Sequence, residues 1–292
     1  MKALLLRRES PDDTHQTTLK GAPSSYTFAM EASALPSVAA EPRNGVHRTL
    51  AMLSVFSASD RELSSAELAR RTGLPRSSAH RIALDLADIG LLERTVNGHF
   101  RLGMRLFELG HLALYQRGLR ESASSFLADL SSATRSTVHL AVIEQLEVVY
   151  LDIIRPTGAP ELRSRLGGRL PPSATAVGKA ILAFSPASLV DSVIAAGLPR
   201  LTPHSITTGE QLRAELNTIR QSGIALDQEE QAAGTLCCAA PIFGPNRKVV
   251  AAVSVSGHAS SLRLDRVKMA VRSTAAGISR RQNAVAYRFA EP

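Results

Sequence analysis

Cysteine is almost absent from this chain of 292 residues: there are two, Cys237 and Cys238, side by side. A disulfide between neighbours is strained, and two thiols without a framework fit a reducing compartment. Neither Cys-x-x-Cys nor His-x-x-x-His occurs. The usual zinc spacings are therefore missing, and no metal or other cofactor is expected. No run approaches the ~20 apolar residues of a membrane helix. The apolar run at the start, Ala3 to Leu6, is shorter than the ~7 residues of a signal core. These absences point to a soluble protein of the cytoplasm with no membrane partner. No internal repeat or low-complexity tract is visible. Hydrophobic residues make up 44%, enough for real cores, and the length suits two ordinary domains.

The formal charge is +8, and basic proteins often seek nucleic acid. That charge is spread: residues 1–43 are net zero, 44–118 net +3 and 119–292 net +5. A DNA-binding claim must therefore rest on placement. Residues 1–43 are rich in Ser, Thr, Pro and Asp without a sustained period, and read as a disordered arm. Met30 offers an alternative start.

From Val46 the pattern becomes helical. Leu50, Leu53 and Phe56 share one face, which predicts a first helix over 46–57. Ser64-Ser65-Ala66-Glu67 is a capping box opening a second helix over 65–72. Gly73 and Pro75 stop it, and a third helix follows over 76–89. Two helices joined by a short Gly-containing turn form a helix-turn-helix. In the third helix Ala79, Ile82, Leu86 and Ile89 form a buried stripe. The opposite face carries Ser77, His80, Arg81 and Leu84, with Arg76 at its edge. Polar donors in the first two turns, Ser78 included, are what a recognition helix uses on bases and phosphates. Asn97-Gly98 between two short apolar runs signals a hairpin. A hairpin directly after a recognition helix is a wing, whose Arg94 and Arg101 can meet the DNA backbone. The competing reading is a small helical bundle with a solvated charged face.

The run Leu68-Ala69-Arg70-Arg71-Thr72-Gly73-Leu74-Pro75-Arg76-Ser77-Ser78-Ala79-His80-Arg81 resembles the helix-turn-helix of the IclR family of bacterial regulators. The resemblance continues through Thr137–Val142, Val148–Asp152, Leu162–Gly167, Ala174–Ala180, Asp227–Glu230 and Val253–Gly257. It implies an α+β protein: a winged helix-turn-helix over 44–103, a linker helix within 104–118, and a GAF-like effector domain with an antiparallel sheet over 119–284. A tail over 285–292 would follow. It further implies dimers, or dimers of dimers, on a pseudo-palindromic double-stranded DNA operator, with small organic or aromatic acids as effectors. The apolar linker residues Leu106, Leu109, Leu112 and Leu114 suit a dimer contact.

In the second half, strands are expected at 137–143, 147–154, 224–226, 235–242 and 248–256, and helices near 176–184, 209–222 and 264–282. Ser254 and Ser256 share one face of an otherwise apolar strand, with Val253 and Val255 on the other. That face could line a polar pocket or meet solvent, with nothing in the sequence to choose. Thr235 and Cys237 share a face of another strand. In the resembling family the effector pocket is built at places matching Ala176, Val177, Asp227, Thr235, Cys237, Ser254 and Ser256. Asp227 is awkward beside an anion unless it is protonated or accepts from a ligand hydroxyl. His139 and His258 are read as packing or hydrogen-bonding residues, and His99 and His204 as surface ones. Ala176–Ala180 is no phosphate loop, since Ser173 and Ala180 stand where Gly and Ser/Thr are needed. The alternatives are a DNA-binding protein without an effector, and a thiol enzyme using Cys237 with His258 or His139. A thiol in an apolar strand is more often a core residue, and the protein is read as no enzyme.

Overall fold

The computed structural model describes residues 44–57, 59–159 and 162–288, with side chains for all but 114–117 and 285–288. The arm expected over 1–43 lies outside the described residues.

Three helices come first. Helix α1 (Gly45–Ser54) is capped by Asn44, whose side chain accepts from the His47 amide at 3.0 Å. It is shorter than its apolar pattern suggests, and the next residues are engaged by partners outside the helix. The Val55 carbonyl accepts from Arg71, and the Ser57 amide donates to Asp60 at 2.8 Å. Helix α2 (Ser65–Thr72) begins as expected, with the Ser64 hydroxyl accepting from the Glu67 amide at 3.2 Å. The reciprocal half of the box is replaced. The Glu67 carboxylate is held by Arg70 at 2.6 Å and Arg71 at 2.7 Å, two cations that outcompete a neutral amide. Gly73 closes α2 at φ 70°, where a side chain would be strained.

Helix α3 (Arg76–Asp88) buries Ala79, Ala83 and Leu86, while Ile82 is only half-buried. Ile89, expected in the stripe, is 51% exposed, because the helix ends one residue earlier and the chain turns away. The hairpin follows as strands β1 (Leu92–Arg94) and β2 (Phe100–Leu102), antiparallel with Glu93 opposite Arg101. Its loop is a Thr95–Gly98 turn in which Gly98 takes φ 75°. This is a three-residue connection with a left-handed Gly, rather than the two-residue turn Asn-Gly usually marks. Phe100 pairs with Leu63 through two 2.8 Å backbone bonds. Its ring lies fully buried among Met52, Leu68, Leu86 and Leu92.

Helix α4 (Met104–Arg117) carries the linker sequence, and Gly118 at φ 57° separates it from α5 (Leu119–Thr134). A six-stranded antiparallel sheet then forms from β3 (Thr137–Glu144), β4 (Glu147–Ile154), β5 (Arg169–Leu170), β6 (Ala225–Gln228), β7 (Thr235–Phe243) and β8 (Val249–His258). Its order is β5-β4-β3-β8-β7-β6. Helices α5 and α9 (Leu264–Arg288) pack on one face, against Val138, Leu140, Val253 and Val255. Helices α6 (Ala176–Leu182), α7 (Ala187–Ala196) and α8 (Gly209–Ser222) pack on the other, against Ala141, Tyr150, Ala239 and Ala252. The sheet is thus a middle layer, and alternate residues of each strand serve different cores. Helix α9 runs on to Arg288, into the stretch expected as tail.

The short turn Pro172–Ala174 lies directly under α6. A Cβ on Gly178 would stand 2.4 Å from both Cα and O of Pro172, so this crossing admits only glycine.

Candidate nucleic-acid interface and ligand cavity

The first candidate surface is α3 with the wing. Arg76, Ser77, His80 and Arg81 are exposed on α3, and Ser78 is half-buried. Pro75, which precedes the helix, supplies no side-chain cap. The first-turn amides are therefore left to an outside acceptor. His80 is braced: its Nδ1 lies 2.9 Å from the Ser65 hydroxyl, and its ring stands edge-on to Phe100 at 6.3 Å. That ties the exposed face of α3 to both α2 and the hairpin.

Charge pairing separates the arginines. Arg70 and Arg71 are engaged by Glu67 and Asp60. Arg101 is engaged by Glu93 across the hairpin, at 2.6 and 3.0 Å. Among the described residues Arg76, Arg81 and Arg94 make no ion pair. Arg76 and Arg81 on α3 and Arg94 at the wing tip, where it lies over Gly98, are thus left without a carboxylate partner, as are Arg61 and Arg105 elsewhere. Arg101 shares the wing with its charge already balanced.

The second candidate is a narrow, partly open cavity of about 20 Å³, between the sheet face that carries α6 and the loops around it. Register explains how it forms. On β8, Val253 and Val255 enter the α5/α9 core, so Ser254 and Ser256 point the other way. They are 2% and 1% exposed, and they line the cavity rather than meeting solvent. Pairing sets His139 of β3 opposite Ser254 and Cys237 of β7 opposite Ser256. Asp227 of β6 stands opposite Cys237, inside the strand rather than after it. Thr235 lines the wall two residues along β7. Ala176 and Val177, at the start of α6, complete the set. Thr175 there caps the Gly178 amide at 3.2 Å. All seven residues singled out from the sequence border this one space.

Several lining residues carried no sequence signal for it. His139 contacts Ser254 at 3.2 Å and Ser256 at 3.3 Å through Nδ1, and Ser164 at 2.7 Å through Nε2. Burial, with Arg155 adding to it, pushes its imidazole down to about 3, so it is neutral. Tyr150 packs on its ring at 5.1 Å, and burial raises the phenol. The strand pairing that assembles these residues is not encoded in any local spacing.

Behind the cavity lies a buried ionic cluster. Lys179 of α6 has no solvent exposure. It donates to Glu230 at 2.5 and 2.7 Å and lies 3.5 Å from Glu215. A single charge in the otherwise apolar Ala176–Leu182 stretch, with Glu229-Glu230 later, was the available hint. Asp227 accepts from the amides of Glu230 at 2.7 Å and Gln231 at 3.3 Å. Burial above all, and then the Glu230 charge, push Asp227 up to about 7. Burial, then Asp227, hold the Cys237 thiol well above its usual range, and it accepts from Ser256 at 2.9 Å. A neutral thiol with those neighbours is no activated nucleophile. His258 is exposed and contacts Ser260. His204 is exposed, and the partly exposed His99 pairs with Glu62. Among the described residues no group of three His, Cys, Asp or Glu could hold a metal, and no helix is long and apolar enough to cross a membrane.

Residues 111–280 match the family model of the bacterial transcriptional regulator IclR C-terminal domain, and 45–95 match the IclR helix-turn-helix domain. The HTH-type transcriptional regulator XynR of Escherichia coli is 33% identical over 213 residues, covering 72% of this chain and 84% of that protein. The transcriptional repressor IclR of the same organism is 31% identical over 240 residues, covering 80% and 88%. An IclR homologue from Microbacterium hydrocarbonoxydans, solved with 4-hydroxybenzoate, superposes with a TM-score of 0.75 at 30% identity over 81% of this chain and 98% of its own. The Thermotoga maritima IclR gives 0.70 at 30% identity, with the same coverages.

The raised Asp227 carboxyl makes a pH prediction. Between its ordinary value of 3.8 and about 7 the unfolded chain ionises first. The stability Asp227 contributes is therefore complete below pH ~4 and is lost as the pH rises through 7. Asp227→Asn keeps an acceptor for the two amides and cannot ionise. Its stability relative to wild type should rise between pH 5 and 8 by roughly 2–4 kcal/mol, at about 1.4 kcal/mol per pH unit of window. His139 is present in both proteins and cancels. Thermal melts at the two pH values check this. A gap between the proteins that ignores pH would contradict the assignment.

Proposed function

We propose, on the premise that this chain belongs to the IclR family of bacterial transcriptional regulators, that it reads an operator with α3 and its wing and answers to a small organic acid held in the cavity under α6. The chain is then a DNA-binding regulator and not an enzyme. The proposed division of labour follows the boundaries 44–103, 104–118 and 119–284, with a GAF-like effector domain, and the site of action is the cytoplasm. Arg76 and Arg81 supply the principal contacts, with Ser77, Ser78 and His80 beside them. Arg94 meets the backbone at the wing. Arg101 contributes less, because Glu93 already balances it.

The observation that carries the effector reading is the burial of Ser254 and Ser256 beside a neutral His139, around a space bordered by Ala176, Val177, Asp227, Thr235 and Cys237. Hydroxyls and the backbone amides of Ala176 and Val177 suit a carboxylate. The relative solved with 4-hydroxybenzoate supports an aromatic acid for this cavity as well.

We further propose a symmetric dimer, or a dimer of dimers, on a pseudo-palindrome. One winged helix reads only a few base pairs, so specificity needs two half-sites. Helix α4 leaves Met104, Phe107, Leu109 and Leu112 between 52% and 69% exposed, an apolar surface suited to a second copy.

Three outcomes are expected. Arg76→Ala with Arg81→Ala should weaken operator binding by about 1–3 kcal/mol for each side chain that reads a base edge. If the two arginines meet phosphate alone, binding should weaken evenly across sequences, with a salt slope lower by ~1 for each arginine removed. Unchanged affinity in a folded double variant would refute the recognition face. Light scattering at DNA-binding concentrations should give at least a dimer, and a monomer would refute the half-site reading. In calorimetry with small organic acids, Ser254→Ala/Ser256→Ala should lose about 0.5–1.5 kcal/mol per hydroxyl, or up to ~3 where the acceptor is charged. The melting temperature should fall, because His139 Nδ1 and the Cys237 thiol lose the buried hydroxyls that contact them, so the titrations are run where the variant is folded. Equal affinity in that variant would place the effector elsewhere.

A further inference from the structure

The cavity has two polar ends, and they differ in one respect. At the serine end, His139 contacts Ser254 and Ser256 with one nitrogen and Ser164 with the other. These groups satisfy one another. At the other end stand Asp227 and Gln231. Gln231 is 7% exposed, and its backbone amide donates to Asp227 Oδ1. Its side chain is different: Nε2 is shielded from solvent and has no hydrogen-bond partner among the described residues. Gln231 also lines the cavity. Buried amide donors are almost always paired, and an orphan at a cavity wall is what a ligand acceptor would satisfy.

The neighbour of that orphan narrows the chemistry. A ligand carboxylate could accept from Gln231 Nε2, but it would then face the Asp227 carboxyl and the nearby Glu230. A keto oxygen would accept from Gln231 Nε2 but could be answered by Asp227 only in its protonated form, whereas a hydroxyl is answered by either form. The hydroxyl both accepts and donates, since it carries one donor and two acceptor lone pairs. Resting on the effector reading above, we infer that Gln231 is a ligand-binding residue, and that with Asp227 it selects acids carrying a hydroxyl remote from the carboxylate. The hydroxyl oxygen accepts from Gln231 Nε2 while its hydrogen is donated to the Asp227 carboxyl. The ligand carboxylate lies toward Ser254 and Ser256. A pocket built to hydrogen-bond a hydroxyl rejects the analogue lacking it far more strongly than an apolar pocket rejects an added group, because its polar groups are then left unpaired.

The test is calorimetric titration of the whole chain with matched acids: 3- and 4-hydroxybenzoate against benzoate, and 4-hydroxybutyrate against butyrate. Wild type should bind at least one hydroxy acid tenfold or more tightly than its deoxy partner. Gln231→Leu should bring that ratio to within about threefold, mainly by weakening the hydroxy acid. It should also melt no lower than wild type, because it removes an unsatisfied buried donor and keeps the backbone bond to Asp227. Gln231→Met serves where the leucine variant does not fold. Acids that bind without regard to the hydroxyl, or a preference that survives Gln231→Leu, overturn the inference and leave the effector reading standing. A protein that binds none of these acids overturns both.

Discussion

The ammonium of Lys179 is wholly buried, and a buried charge is tolerable only where partners replace the water that surrounded it in the unfolded chain. Glu230 is the nearer partner and Glu215 the farther. Lys179 belongs to α6 and Glu230 to the turn after β6, so this pair clamps the helix at one side of the cavity to the turn at the other. The Thr202 and Ser205 hydroxyls donate to the Glu229 and Glu230 carbonyls, at 2.6 and 2.7 Å, and fix the same turn from a third direction. One cation stands among three carboxylates, and Asp227 is left without its own. That shortage, added to burial, keeps Asp227 able to hold a proton near neutrality, and it links the scaffold of the cavity to its chemistry.

A ligand in such a space can alter DNA affinity only by binding one arrangement of the protein better than another. The narrowness of the cavity matters here. A ring-sized acid must move lining side chains to enter, and the lining is continuous with packed elements. Ser164 and Leu162 border the cavity from the loop between β4 and β5, and Gln231 borders it from the β6–β7 turn. Those two segments are the nearest parts of the protein that a bound acid would rearrange.

The helix-turn-helix was legible because its signals are local. Ser64, Gly73 and the Asn97-Gly98 pair each act within a few residues, and α2 matches its expected bounds. The same locality explains the errors. Ile89 continued an apolar spacing that the helix did not follow, and α1 stopped early, where Arg71, remote in sequence, holds the Val55 carbonyl. In the second half the strands were visible as apolar runs. Helix α5 was missed because Ser122, Ala123 and Ser131 stand among Leu119, Leu127 and Leu130 on its buried face and blunt the periodic contrast, and α7 was missed as well. The sense of the serine face could not be read from β8, since strand periodicity says which residues share a side and not what covers it. His139, Tyr150 and Gln231 reach the cavity only through pairing and turns set by distant parts of the chain.

Linkage between the two sites is the most direct measure of the whole account. If an acid in the cavity changes operator affinity by some factor, operator DNA must change the affinity for that acid by the same factor. The measurement is titration of the tightest-binding acid with and without saturating operator, and of operator with and without saturating acid, at one salt concentration. The account predicts equal factors of roughly 5–150, reached only at higher acid concentration in Ser254→Ala/Ser256→Ala. An acid that binds the cavity while operator affinity stays unchanged would contradict it.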